Sequence, residues 1–240
     1  MKSHSFFTPA FLLKGIISTN VAMFVICLIF SGKDIHLTVN PFEALMPSID
    51  ILNFMGASGR FPIAHYKAWW SLISANWLHG SLLHIVFNML ALRTVAPLVI
   101  DEYGRFRMFT IYTLAGAGGF LLSYLGNVFM TIGASSGICG LIGALLYFGV
   151  SRGGQWGQRV YRETKGWIIS LAIIGFLLPN INNWGHLGGL LTGILFGWIF
   201  SYNDRRKENR FDRILGIGFI LLTAVLLIFP VIQGTFLVFS

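Results

Sequence analysis

Seven runs of apolar residues, each near the length of about 20 that crosses a bilayer as a helix, constrain this chain more than any other feature. Their approximate ends are 11–30, 82–100, 107–126, 134–150, 166–181, 185–202 and 214–234. The fourth to sixth are rich in glycine and the fifth is short; the first, second and last are the most continuous. A backbone in hydrocarbon must satisfy its own hydrogen bonds, so runs of this kind read as helices. Composition agrees: of 240 residues, 55% are hydrophobic and 11% charged, and the mean hydropathy is +0.72, far from the balance of a soluble domain. The expected fold is an all-α, polytopic integral membrane protein whose solvent is the lipid bilayer.

The net charge of +8 does not point to nucleic acid, because the basic residues follow the positive-inside rule. With a cytoplasmic N-terminus, fourteen of the seventeen Lys and Arg residues, from Lys2 and Lys14 to Arg210 and Arg213, fall inside, and Lys33, Arg60 and Lys67 fall outside. An odd number of spans then puts the C-terminus outside. The first apolar run is longer than a signal-peptide core and reads as a retained helix. Cys27 and Cys139 both lie within spans, so no disulfide framework is expected. The compact chain with short loops suits a prokaryotic inner (plasma) membrane.

Residues 1–202 are expected to form one six-span unit, with a long outer loop at 31–81. That loop holds Pro41, Pro47 and Pro62 and the tryptophans Trp69, Trp70 and Trp77, which suit a segment lying in the membrane interface. Residues 203–213, NDRRKENRFDR, read as a solvated cytoplasmic linker, and 214–240 as an additional transmembrane helix.

Polar residues inside spans are expensive and therefore informative. Three groups stand out: His79, His84 and Asn88 in HGSLLHIVFN, the adjacent Ser135 and Ser136 in TIGASSGICG, and His186 in NWGHLGGLLTG. In the topology above all three sit at the outer ends of their helices. His84 and Asn88, four apart, share one helix face. A serine, a histidine and an amide at one depth are the parts of acyl transfer: nucleophile, base and oxyanion donors. Imidazole accepts the serine proton and returns it to the leaving amine. Asn88, His84 and the backbone N–H of Ser135 at a helix start are the donors for the oxyanion. No carboxylate lies within reach, so catalysis rests on a Ser–His dyad and is expected to be slow.

Gly185, Gly189, Gly193 and Gly197 recur every four residues along the sixth span, and Gly133, Gly137, Gly140 and Ala144 give small surfaces on the fourth. Close approach of the two helices brings His186 towards the serines. A metal site from His79, His84 and His186 is disfavoured because HExxH is absent and no carboxylate is available, and no cofactor is expected.

These motifs resemble those of the rhomboid intramembrane serine proteases over approximately residues 69–200. GASSGICG is similar to the family's G-x-S-x nucleophile motif, HGSLLHIVFN to its H-x4-H-x3-N motif, and GHLGGLLTG to its H-x2-G-x3-G motif. The resemblance implies a six-helix rhomboid-like core with one extra C-terminal transmembrane helix. It implies Ser135 as nucleophile, since Gly133 stands two residues before it, and His186 as base. His84 and Asn88 take oxyanion roles, His79 supports the outer loop, and Cys139, Gly189 and Gly193 line the site's structural surroundings. It also implies transmembrane protein substrates cut near the outer face. Two positions depart from the family pattern: Cys139 stands where an aromatic usually stacks on the histidine, and Trp70-Ser71 stands where the pair is usually Trp-Arg.

Two other readings come from different classes. An inactive rhomboid-like protein binds membrane clients without cutting them, and Cys139 keeps that reading open. A transporter uses the polar residues as a path, but no intramembrane acid is present to form a relay. Oligomeric state and substrate identity are not legible.

Overall fold

The computed structural model describes residues 8–40, 43–178 and 181–239, with side chains through Phe236; Lys2 and Pro41 lie outside the described residues. Seven long helices carry the architecture: α1 (Pro9–Ser31), α5 (Leu82–Tyr103), α6 (Arg105–Leu125), α7 (Ser135–Arg152), α8 (Gly154–Leu177), α9 (Asn183–Phe200) and α10 (Arg210–Phe239). Between α1 and α5 lie three short ones, α2 (Ile49–Phe54), α3 (Arg60–Tyr66) and α4 (Ser71–Ser74). Among the described residues there is no strand, only two isolated bridges, His36 with Met46 and Ser58 with Thr131. The protein is an all-α membrane protein. α1, α5, α6, α7 and α10 are long and apolar enough to cross a membrane. The first halves of α8 and α10 carry the basic residues that polar surroundings require.

Local chemistry sets the helix ends. Thr8 caps α1 by accepting the Phe11 N–H (3.1 Å), with Pro9 in the first turn. Ser81 caps α5 by accepting the His84 N–H (3.3 Å), and Asn182 caps α9 through the Gly185 N–H (3.0 Å). Gly104, at φ 90°, separates α5 from α6 in one residue. α8 begins at Gly154 rather than near 166: its first three turns are amphipathic and basic, a pattern that hydropathy alone leaves out.

The centre of the protein is the packing of α6, α7 and α9. A Cβ added at Gly189 would lie 2.1 Å from the Ser136 carbonyl oxygen, at Gly193 1.9 Å from that of Gly140, and at Gly197 3.0 Å from Ala144 Cα. These three pairs keep one offset of 53 positions (189 against 136, 193 against 140, 197 against 144). α7 and α9 therefore run side by side in one register for about two turns, backbone against backbone, as small residues allow in a membrane.

The segment between α1 and α5 does not lie flat in the interface. Trp69 and Trp70 are exposed, but Trp77 is 3% exposed and packs on Phe109 and Tyr112 (ring centroids 6.2 and 5.8 Å). Asn76 fits where Gly116 has no side chain, halfway along α6. The chain thus descends to about the middle of the bundle at Ala75–Trp77 and rises again to α5. The missing side chain at Gly116 makes the room, which the sequence reading of Trp77 as an interfacial anchor did not include.

α10 is held at its first turn. Arg107, fully buried, donates to Asp212 Oδ2 from Nε (2.9 Å) and Nη2 (2.7 Å). Its remaining N–H groups reach the carbonyls of Arg206 and Lys207, both at 2.7 Å. Glu208 accepts the N–H groups of Phe106 and Arg107 (2.7 and 3.1 Å), capping α6. Arg107 and Asp212 are therefore a buried ion pair at the end of a linker whose Lys207, Asn209, Arg210 and Phe211 stay exposed.

Candidate active site

Gly133 adopts φ +123°, a region L-residues avoid. Its N–H donates to the carbonyl of Ala75 (2.9 Å), and a Cβ there would lie 2.6 Å from His84 Nε2. The turn before α7 is thus pinned to the re-entrant segment on one side and pressed against an imidazole on the other. Two residues later Ser135 opens α7 with no side chain capping the helix. Its backbone N–H and those that follow point out of the helix start, a local positive potential.

The two serines part company here. Ser136 is 3% exposed and wedged between α6 and α9: a Cβ at Gly119 would lie 2.7 Å from its Oγ, and one at Gly185 2.9 Å. Ser135 is only half-buried. Of the pair, Ser135 is the more exposed residue.

His84 sits in the first turn of α5, its Nδ1 accepting the Gly80 N–H (3.4 Å). An imidazole that accepts at Nδ1 carries its proton on Nε2 when neutral, so the N–H is aimed at Gly133. Asn88, one turn further and buried, donates from Nδ2 to the His84 carbonyl (2.9 Å). That leaves its second amide hydrogen uncommitted. His79 is fully buried with its ring edge-to-face against His84 at 5.0 Å, and neither of its nitrogens has a hydrogen-bond partner among the described residues. Burial, and secondarily the charge of His84, hold its imidazole well below the usual range, hence neutral.

His186 lies in the first turn of α9, half-buried. Its depth follows from two ties. Its N–H donates to the Asn182 carbonyl (3.1 Å). The Asn182 amide donates to Ser123 Oγ (2.7 Å) on α6 and Thr131 Oγ1 (2.8 Å) on the loop leading to Ser135. The constant offset between α7 and α9 extrapolates to Gly133 opposite His186. The structure brings Ser135, His84, Asn88 and His186 to one end of the bundle; it does not hydrogen-bond Ser135 to His186. Gly189 and Gly193 lie below this level and carry the close helix contact. Cys139, one turn below Ser135, is buried, and among the described residues no aromatic ring stacks on His186. Among the described residues no group of three His, Cys, Asp or Glu side chains stands close enough to hold a metal ion.

Sequence reasoning missed Asn182 and Ala75. Asn182 had a signal, an Asn directly before the helix that carries the histidine. Ala75 had none, because only its carbonyl acts.

A model of the Rhomboid domain matches residues 66–203. Over 221 residues, 83% of its length, the chain is 30% identical to RHOMBOID-like protein 1 of Arabidopsis thaliana, covering 57% of that protein. It is 32% identical over 186 residues to RHOMBOID-like protein 5 of the same plant, covering 72% of this chain and 58% of the relative. Over 130 residues, 52% of this chain and 25% of the relative, it is 38% identical to rhomboid protease GluP of Bacillus subtilis. The chain spans less than two thirds of the length of each of these proteins.

Proposed function

The chain belongs to the rhomboid family, and from that we propose that it is an intramembrane serine endopeptidase acting on transmembrane segments of other membrane proteins. The observation that carries the reading is the contrast between the half-buried Ser135 at the start of α7 and the His84 Nε2 seated against Gly133 just before it.

In this reading Ser135 Oγ attacks the scissile carbonyl while His186 takes its proton. The oxyanion collects N–H donors from the Ser135 backbone, His84 Nε2 and the free hydrogen of Asn88 Nδ2. The C–N bond then breaks as the imidazolium protonates the leaving amine. Water, deprotonated by the same imidazole, hydrolyses the acyl-enzyme and frees Ser135. With no carboxylate behind His186, Asn182 supplies orientation through the backbone. The substrate helix must unwind locally to present its carbonyl. The distribution of Lys and Arg supports a cytoplasmic N-terminus, with the site opening to the outer face.

The test is labelling of the purified protein by a fluorophosphonate, with the modified residue located by peptide mass spectrometry. Modification at Ser135 that disappears in His186→Ala is expected. Folded protein that takes no label overturns the dyad and favours a rhomboid-like binder that does not cut, a reading to which the unstacked His186 and the buried Cys139 lend weight.

A further inference from the structure

Tyr112, on α6, is fully buried and takes no part in the chemistry, yet it touches both sides of the turn that carries the serine. A Cβ at Gly137, in the first turn of α7, would lie 2.8 Å from the ring carbons Cδ2 and Cε2 of Tyr112 and equally close to its carbonyl oxygen. The ring therefore occupies the place where α7 has no side chain, two residues after Ser135. It also meets Trp77 edge-on, the ring centroids 5.8 Å apart at 79°. One turn along α6, Gly116 leaves the notch that Asn76 fills. Positions 112 and 116 share a helix face, so one rigid element holds both Asn76 and Trp77.

These contacts close a circuit. Ala75, next to Asn76, accepts the Gly133 N–H (2.9 Å). Gly133 leads through Ala134 into Ser135, and Gly137 returns to the Tyr112 ring. Asn76, Trp77 and Tyr112 are each 3% exposed or less. Close-packed interiors resist compression, so the ring sets the separation between the re-entrant segment and the first turn of α7. The Tyr112 hydroxyl lies beside the side chains of Asn20 and Asn76 without a hydrogen bond of ordinary geometry; the ring makes the contacts that matter.

We propose that Tyr112 is a positioning residue for Ser135: its ring, wedged between Trp77 and Gly137, fixes the turn at Gly133 and through it the serine. The assignment rests on the endopeptidase reading, in which Ser135 is the nucleophile. A misplacement of about 1 Å, caused far from the chemistry, costs on the order of 10²-fold in rate. A residue that only stabilised the fold would change how much protein is folded, not how fast the folded molecules react.

The test compares the full chain with Tyr112→Leu, Tyr112→Phe, Gly137→Ala and Phe148→Leu, each checked by thermal unfolding. Phe148, a fully buried ring near the other end of α7 that packs on Tyr202 (centroids 4.9 Å apart), controls for the loss of a core aromatic. Two quantities are read: hydrogen exchange at the Gly133 amide, which needs no activity, and fluorophosphonate inactivation resolved into kinact and KI. Tyr112→Leu is expected to speed exchange at Gly133 roughly fivefold, about what one net hydrogen bond is worth. It should also lower kinact by about 10²-fold at nearly unchanged KI. Tyr112→Phe, which keeps the ring, should restore both. Phe148→Leu should lower the unfolding temperature and move neither. Gly137→Ala presses a methyl group on the same ring from α7 and should act as Tyr112→Leu does, which decides the question if Tyr112→Leu fails to fold. Unmoved exchange at Gly133 in the leucine and alanine variants overturns the proposal. So does a phenylalanine variant as impaired as the leucine one, or equal impairment in Phe148→Leu. If exchange moves as expected while the wild type takes no label, it is the endopeptidase reading that fails, and the hold of Tyr112 on the turn stands.

Discussion

The N–H of Gly133 donates to the carbonyl of Ala75 at 2.9 Å, joining the turn before Ser135 to the deepest point of the segment between α1 and α5. The candidate nucleophile is thereby positioned from two directions, by its own helix and by a chain nearly sixty residues earlier.

Gly133→Ala tests this seat. It puts a methyl group 2.6 Å from His84 Nε2 and demands φ +123° of an alanine. Fluorophosphonate labelling should slow by about 10²-fold, the cost of misplacing an oxyanion donor, with roughly 1–3 kcal/mol of lost stability. Unchanged labelling would show that His84 does not serve the serine.

The neighbouring serines should separate cleanly. Ser135→Ala is expected to abolish labelling at near wild-type stability. Ser136→Ala should keep it, whereas Ser136→Val, forced against Gly119 and Gly185, should cost about 1–3 kcal/mol by overpacking. Thermal unfolding in detergent measured beside labelling distinguishes the three.

Glycines on two helices should respond in opposite directions. Gly193→Ala places Cβ 1.9 Å from the Gly140 carbonyl oxygen, so α9 must move off α7; a loss of about 1–3 kcal/mol and slower labelling are expected. Gly166 in α8 has open space where a Cβ would go, and Gly166→Ala should raise stability by about 0.5–1 kcal/mol. Equal effects would mean that the shared register does not set the helix spacing.

Asn182→Ala removes the α9 cap and the bonds to Ser123 and Thr131. A loss of about 1–2 kcal/mol is expected, together with a lower kcat at nearly unchanged KM for a cleaved substrate, since the asparagine orients His186 without touching the substrate. A change confined to KM would count against that role.

The seven long helices were legible because bilayer solvation makes hydropathy the dominant signal, and the three polar groups stood out against it. The same signal hid the start of α8, whose basic turns look like a loop. It also misplaced Trp77, because an aromatic in an outer loop reads as interfacial unless the space left by Gly116 is known. The choice of Ser135 over Ser136 rested on a motif in the sequence; the unequal exposure of the two residues is a property of three packed helices, which no single segment carries. Arg107 and Asp212, 105 positions apart, both read as cytoplasmic charges, and nothing local marks them as partners.

The clasp between them binds the fate of α10 to that of α6. A fully buried guanidinium is tolerable only while its carboxylate and the carbonyls of residues 206 and 207 are present. A descendant of this chain that shed its last helix would inherit a stranded positive charge at the foot of the bundle. The buried charge on α6 and the acid in the first turn of α10 thus act as one unit across the two helices.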